Sequence, residues 1–189
     1  MTFEAFGKIA RLNRDCIITE KLDGTNAQVI VEEDGTVGAA SRTRLITPED
    51  DNAGFARWVQ EHVEELRLLG PGRHFGEWWG QKIQRGYGLT EKRFSLFNTS
   101  RWASRHVPVI LEAIAYAPSC CHVVPVLYEG PFTTTAVEAC IQDLRTNGSR
   151  AVPGFMRPEG VVVFHVAARM LLKVTLEKDE APKGRVSCS

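Results

Sequence analysis

The chain has 189 residues, 43% hydrophobic and 24% charged, with 23 basic against 23 acidic side chains. These are ordinary globular proportions for one sizeable domain, and the zero net charge argues against a generic nucleic-acid-coating protein. No apolar run reaches the length of a membrane span and charges break the first fifteen residues, so neither a membrane partner nor a signal peptide is expected and a cytoplasmic location is.

In chain order, 16–20 and 26–33 read as strands rich in Val and Ile, with a turn at 33–35 leading to a further strand near 36–41. A helix is predicted over 48–69. Thr47 would cap it, Pro48 would take its first position, and acids 49–51 would load its positive end. Phe55, Trp58, Val59, His62, Val63 and Leu66 follow the spacing of one buried face, with His62 a core or boundary residue rather than a ligand. Gly70-Pro71 stops the helix.

Segments 73–79, 93–97 and 122–128 read as strands, while 107–117 is ambiguous and leans to helix. A second helix is predicted over about 133–146, ending at Asn147-Gly148, followed by a loop and a last strand pair at 159–166 and 169–176. Antiparallel-looking strands with helices between them give an α+β fold. The five cysteines include no C-x-x-C pair, and adjacent Cys120 and Cys121 do not suit a zinc knuckle, so reduced structural thiols are expected.

Charge is unevenly placed. Residues 1–70 hold 8 Lys+Arg against 13 Asp+Glu, whereas 71–110 hold 7 against 2. In the latter, Arg73, Lys82, Arg85, Lys92, Arg93, Arg101 and Arg105 interleave with Trp78, Trp79, Tyr87, Phe94, Phe97 and Trp102. Cations among aromatic rings suit a nucleotide or nucleic acid; a solvated basic face over an aromatic core is the equal alternative.

Four residues stand out for chemistry. Lys21 lies between Glu20 and Asp23, and a lysine amine attacks phosphorus only after losing its proton. Acidic neighbours oppose that loss, so Lys21 becomes a nucleophile only where a metal or further cations share its site. Lys173 interrupts the apolar run "MLLKVTL", on one strand face with Leu171 and Thr175. Glu159 opens a hydrophobic strand after a proline, and Glu77 sits among aromatics in "FGEWWG", where a lone buried carboxylate would be costly.

The order of six segments then matters. "KLDGTN", "SRTR", "FGEWWG", "RFSLFN", "PEGVVVF" and "LLKV" follow one another as motifs I, Ia, III, IIIa, IV and V do in the covalent nucleotidyltransferases. Within that superfamily the chain resembles the ATP-dependent RNA ligases of the editing and nick-sealing type, over about residues 16–178. The resemblance implies an ATP-grasp-like ligase domain at 1–178, built of antiparallel sheets with flanking helices and a nucleotide groove between them. A flexible tail at 179–189 and no appended oligonucleotide-binding barrel complete that expectation.

It also implies roles. Lys21 would attack the α-phosphorus of ATP and hold AMP as a phosphoramide before passing it to a 5′-phosphate end. Glu20, with the backbone beside it, would read the adenine amine. Asp23, Asn26 and Arg42 would contact the nucleotide, Glu77 its ribose, and Phe97 (or else Phe94) its base. Glu159 would bind Mg2+ or Mn2+, and Lys173 would neutralise the α-phosphate. Lys82, Arg85, Lys92 and Arg93 would hold RNA or a nicked duplex, with a partner protein as a further means of end recognition.

The match departs from the family pattern at two motif positions. Thr175 replaces the second lysine of motif V, leaving Lys178 as a substitute, and Asn98 stands where motif IIIa commonly carries aspartate. A GTP-using guanylyltransferase and a non-catalytic nucleic-acid adaptor are the competing readings.

Overall fold

A computed structural model describes residues 2–7, 9–103 and 115–177. The chain forms two compact units, one running from Leu22 to Val124, the other combining the residues up to Lys21 with those from Pro125 on.

The strands, in chain order, are β1 (Asp15–Lys21), β2 (Thr25–Val31), β3 (Val37–Ser41), β4 (Leu45–Ile46), β5 (Gly72–Gly80), β6 (Lys92–Leu96), β7 (Trp102–Ala103), β8 (Ala115–Tyr116), β9 (Cys121–Val123), β10 (Val126–Pro131), β11 (Gly160–His165) and β12 (Met170–Thr175). Helices are α1 (Phe55–Glu61), α2 (Val63–Leu66) and α3 (Thr134–Asn147), and a 3-10 turn at Arg67–Leu69 follows α2.

The unit containing β1 is an antiparallel sheet in the order β10-β1-β11-β12. Its alternation is strict along β1, where Cys16, Ile18 and Glu20 are buried and Ile17, Thr19 and Lys21 take the other face. The apolar members join Val161 and Val163 of β11 and Cys140, Ile141 and Leu144 of α3 in one core. Thr133 Oγ1 accepts from the Ala136 amide at 3.0 Å and Gly148 ends α3 at φ 76°, so both ends of the predicted helix are capped as its sequence requires.

In the other unit a six-stranded sheet runs β4-β3-β2-β5-β6-β9, with β7 and β8 a small separate parallel pair. Ala27, Val29, Val31, Trp78, Phe94 and Leu96 point to one face, where Phe55, Ala56 and Val59 of α1 close a core rich in stacked and tilted rings. The β6–β9 pairing is parallel, the one departure from antiparallel order in that sheet.

The first helix starts at Phe55, not at Pro48. Ala53 and Gly54 both take left-handed backbone, φ 52° and 82°, which a continuous helix does not permit. The Ala53 carbonyl is held there by Trp78 Nε1 at 3.0 Å and Lys92 Nζ at 2.7 Å. Capping falls to Asp51, whose carboxylate accepts from the amides of Ala56 and Arg57 at 2.7 and 3.2 Å. Thr47 instead accepts from the Asp50 amide in a turn.

The single strand predicted at 122–128 is two. Val124 donates its amide to Leu96 and ends the β9 pairing, while the Pro125 carbonyl accepts from Glu20 N as β10 joins β1. Of 107–117, residues 107–114 lie outside the described residues, as do Arg105, Lys178, Cys188 and the predicted tail at 179–189; Ala115 and Tyr116 are strand. Cys16, Cys120, Cys121 and Cys140 are free thiols, as expected. Among the described residues no helix is long and apolar enough to cross a membrane.

Candidate active site

Lys21 is the last residue of β1 and projects from the face of its sheet opposite α3. Its Nζ donates to Glu159 Oε2 at 2.6 Å. Glu159 is 4% exposed and stands just before β11. Lys21, Gly160 and Thr175 lie in one row across β1, β11 and β12; Thr19, Val162 and Lys173 form the next row. Alternation therefore puts Lys173 and Thr175 on the face that carries Lys21. Gly160 is the middle of the first row because nothing larger fits: a Cβ there would meet the Val174 carbonyl at 2.1 Å, and its φ is 154°.

Glu20 points the other way. It is 1% exposed, and its Oε2 accepts from the amides of Arg150 and Ala151 at 2.7 and 2.9 Å. Burial pushes its carboxyl above the ordinary carboxylate range, against the pull of hydrogen bonds from Ser149, Ala151 and Arg150. Its Oε1 has no hydrogen-bond partner among the described residues. Arg150 in turn grips Asp143 of α3 through both Nε and Nη2, at 2.6–3.0 Å. A carboxylate placed by sequence at a base-reading position is thus committed to the turn that leads towards Glu159.

The remainder of the first motif belongs to the other unit. Gly24 packs against β5, where a Cβ would meet the Trp78 carbonyl at 2.4 Å and Trp79 Cβ at 2.6 Å. Its amide donates to Glu77 Oε1, and Asn26 Nδ2 donates to Glu77 Oε2, both at 3.0 Å. Glu77 thereby ties "GTN" to "FGEWWG". Asp23 is held twice: its carboxylate accepts from Arg85 Nε at 3.0 Å, and its amide donates to the Tyr87 hydroxyl at 3.0 Å. Tyr87 is buried edge-on against Trp79.

Tyr87 had no catalytic signal in the sequence beyond its place in an aromatic-basic run. Its loop, however, is rich in glycine, and Lys82, Gln84 and Tyr87 all adopt positive φ, between 46° and 58°. Three such side chains in six residues mark a backbone held in a set shape.

The predicted nucleic-acid contacts separate. Lys82 is exposed. Arg85 is engaged with Asp23, Lys92 with the Ala53 carbonyl, and Arg93 with Glu91 at 2.6 Å while lying 6.0 Å from the Trp79 ring centre. Arg42 is exposed just past β3; its neighbour Arg44 is the one that forms a bidentate pair, with Asp50. Phe94 is fully buried against Phe55 and Trp58 and has no open ring face, whereas Phe97 is 41% exposed.

No group of three acidic, His or Cys side chains that would cage a metal occurs among the described residues. Glu159 alone suits a hard cation that takes its other ligands from water and phosphate oxygens, the usual habit of Mg2+. A groove of about 560 Å3 between α3 and β10 is lined by Tyr128, Cys140, Asp143 and Arg150 among others and includes none of the predicted site residues.

The family model described as RNA ligase matches residues 14–175. Among solved structures, a Naegleria gruberi RNA ligase mutant with ATP and Mn is 18% identical with a TM-score of 0.53, covering 86% of this chain and 50% of that one. Another mutant of that ligase, with AMP and Mn, is 19% identical at 0.53, covering 87% and 50%. An archaeal ATP-dependent RNA ligase is 20% identical at 0.56, covering 90% and 48%. At these identities the likeness is one of fold, and the chain spans about half the length of the structures it matches. A comparison with curated proteins returned no match.

Proposed function

Given that the chain belongs to the RNA ligase family, we propose that it is an ATP-dependent polynucleotide ligase working through AMP bonded to Lys21. The observation that carries this reading is the 2.6 Å contact of Lys21 Nζ with Glu159 Oε2, on the strand that begins the K-x-D-G motif. A lysine fixed at its tip by a buried carboxylate is oriented before substrate arrives, which is what in-line phosphoryl transfer asks of a protein.

In the first step the Lys21 amine forms an N–P bond to the α-phosphorus of ATP. The bond from that phosphorus to the bridging oxygen breaks, and pyrophosphate leaves with its electron pair. The proton of Nζ departs along the hydrogen bond to Glu159 Oε2. Lys173, on the same sheet face, neutralises charge that builds on the α-phosphate oxygens. A divalent cation, when bound, screens the phosphate oxygens, and Glu159 is the residue that would hold it.

In the next step a 5′-phosphate oxygen displaces Lys21 from the AMP phosphorus, and a 3′-hydroxyl then displaces AMP to seal the strand. Phe97 offers an open ring for the adenine, and Asn26 with Glu77 the polar groups for the sugar. Lys82 is the exposed cation for strand phosphate, and RNA is the substrate that the family indicates. We assign the whole of 1–178 to adenylation.

The test is incubation with α-labelled ATP or GTP and Mg2+, followed by denaturing gels. Label from ATP on the wild type, and none on Lys21→Ala, is the expected result. Label from GTP alone would make the chain a guanylyltransferase, and no label from either would leave a nucleic-acid adaptor.

A further inference from the structure

The face of the six-stranded sheet opposite α1 carries an exposed aromatic residue, Phe75, that the adenylation reading does not use. Its first row consists of Asn26, Glu77, Ser95 and His122, paired in register across β2, β5, β6 and β9. Two residues along, about 7 Å away, Gln28 pairs with Phe75, and Phe97 donates its amide to the Phe75 carbonyl at 3.0 Å. Phe75 and Phe97 are 53% and 41% exposed, neighbours on one sheet face. Arg73 comes two residues before Phe75, on the same face, and reaches Gln28 Oε1 at 3.5 Å.

A ring this exposed in mid-strand is a poor choice for stability, since the opposite face already holds the core. Paired rings on neighbouring strands, with a guanidinium and an amide beside them, are the arrangement by which sheets stack unpaired bases and hold the phosphate that follows. One adenine occupies one ring face, so the Phe97 assignment leaves the Phe75 ring for another base.

We propose that Phe75, with Arg73 beside it, is a stacking site for an unpaired nucleobase of the RNA strand, next to the mononucleotide row of Asn26 and Glu77. The inference rests on the RNA-ligase reading for the identity of the strand, and its test is separable from that reading.

Binding of a fluorescein-labelled, 5′-phosphorylated oligouridylate is measured by anisotropy for wild type, Phe75→Ala, Phe75→Leu and Phe75→Trp. Adenylation by labelled ATP and thermal melting are recorded on the same preparations. Both Ala and Leu are expected to weaken RNA binding by about 5- to 100-fold, the effect of losing one base–aromatic stack, while Trp preserves it; Leu keeps the apolar bulk and removes only the π-face. Unchanged RNA affinity in Phe75→Leu overturns the proposal, as does a wild type that binds no RNA. Loss of adenylation with RNA affinity intact also overturns it, by assigning Phe75 to ATP. Should the wild type bind the RNA yet take no label, the ligase reading fails while the stacking site is still judged by the same affinities.

Discussion

Lys21 and Glu159 are 138 positions apart in the chain, yet Nζ and Oε2 meet at 2.6 Å. Lys21 pairs with Gly160, the first residue of β11, and Glu159 stands just before that strand. Glu159→Gln keeps the shape and an acceptor but loses the charge and the capacity to take a proton. Formation of the Lys21–AMP adduct is expected to slow by about 100-fold or more, with little change in melting temperature. Rapid-quench measurement of adduct formation checks it, and a variant as fast as wild type would remove Glu159 from the chemistry.

Lys173 is exposed and Thr175 shares a row with Lys21 across Gly160. Lys173→Ala should therefore abolish labelling while circular dichroism and melting stay those of wild type. Thr175→Lys adds a cation in line with the nucleophile, and adduct formation is expected to rise by roughly two- to tenfold. Unfolding of Lys173→Ala would instead show that this lysine serves the sheet.

Arg85 and Lys82 lie three residues apart and are predicted to behave differently. Lys82 is exposed, so Lys82→Ala should lower the slope of log K against log salt for RNA binding by about 1. Arg85→Ala should leave that slope unchanged. It should instead lower stability by about 1–3 kcal/mol, because Asp23 loses a charged partner in a part-buried setting. Anisotropy titrations over a salt series, together with denaturant melts, distinguish the two.

Glu20 is a carboxyl whose pKa is raised by burial, so the folded chain binds its proton more tightly than the unfolded one does. Over the window from the ordinary value of 4.5 up to the raised one, stability must fall as pH rises. The sign is opposite to that of a salt-bridged carboxylate. Glu20→Gln retains an oxygen for the Arg150 and Ala151 amides and cannot ionise. Its melting temperature relative to wild type is expected to climb through that window; a constant difference would mean that Glu20 does not titrate there.

Much of this was readable from the chain because the informative signals were local. "KLDGTN" and "PEGVVVF" are motif matches contained within six or seven residues, and β1, β11, β12 and α3 are each set by alternation or capping of their own residues. The missed helix start was not local. Left-handed backbone at Ala53 and Gly54 is held by Trp78 and Lys92, 25 and 39 positions on. The same limit applies to Arg85, Lys92 and Arg93: composition grouped them as a basic surface, while distant or neighbouring acceptors in the fold had already engaged them. Glu20 illustrates it most plainly, since the amides of Arg150 and Ala151 that receive its carboxylate leave no mark on the sequence around it.

The opposite orientations of Glu20 and Lys21 bear on what mutations this strand can accept. Adjacent residues of a strand exchange faces when pairing slips by one position. A single inserted or deleted residue within β1 would send an ammonium group into the apolar layer under α3 and take Lys21 off the face it shares with Lys173 and Thr175. Length changes in this strand should thus be purged twice over, for folding and for reactivity. Insertions ought to be tolerated at the exposed turn near Glu33–Gly35, which makes that turn the place to put a tag or reporter.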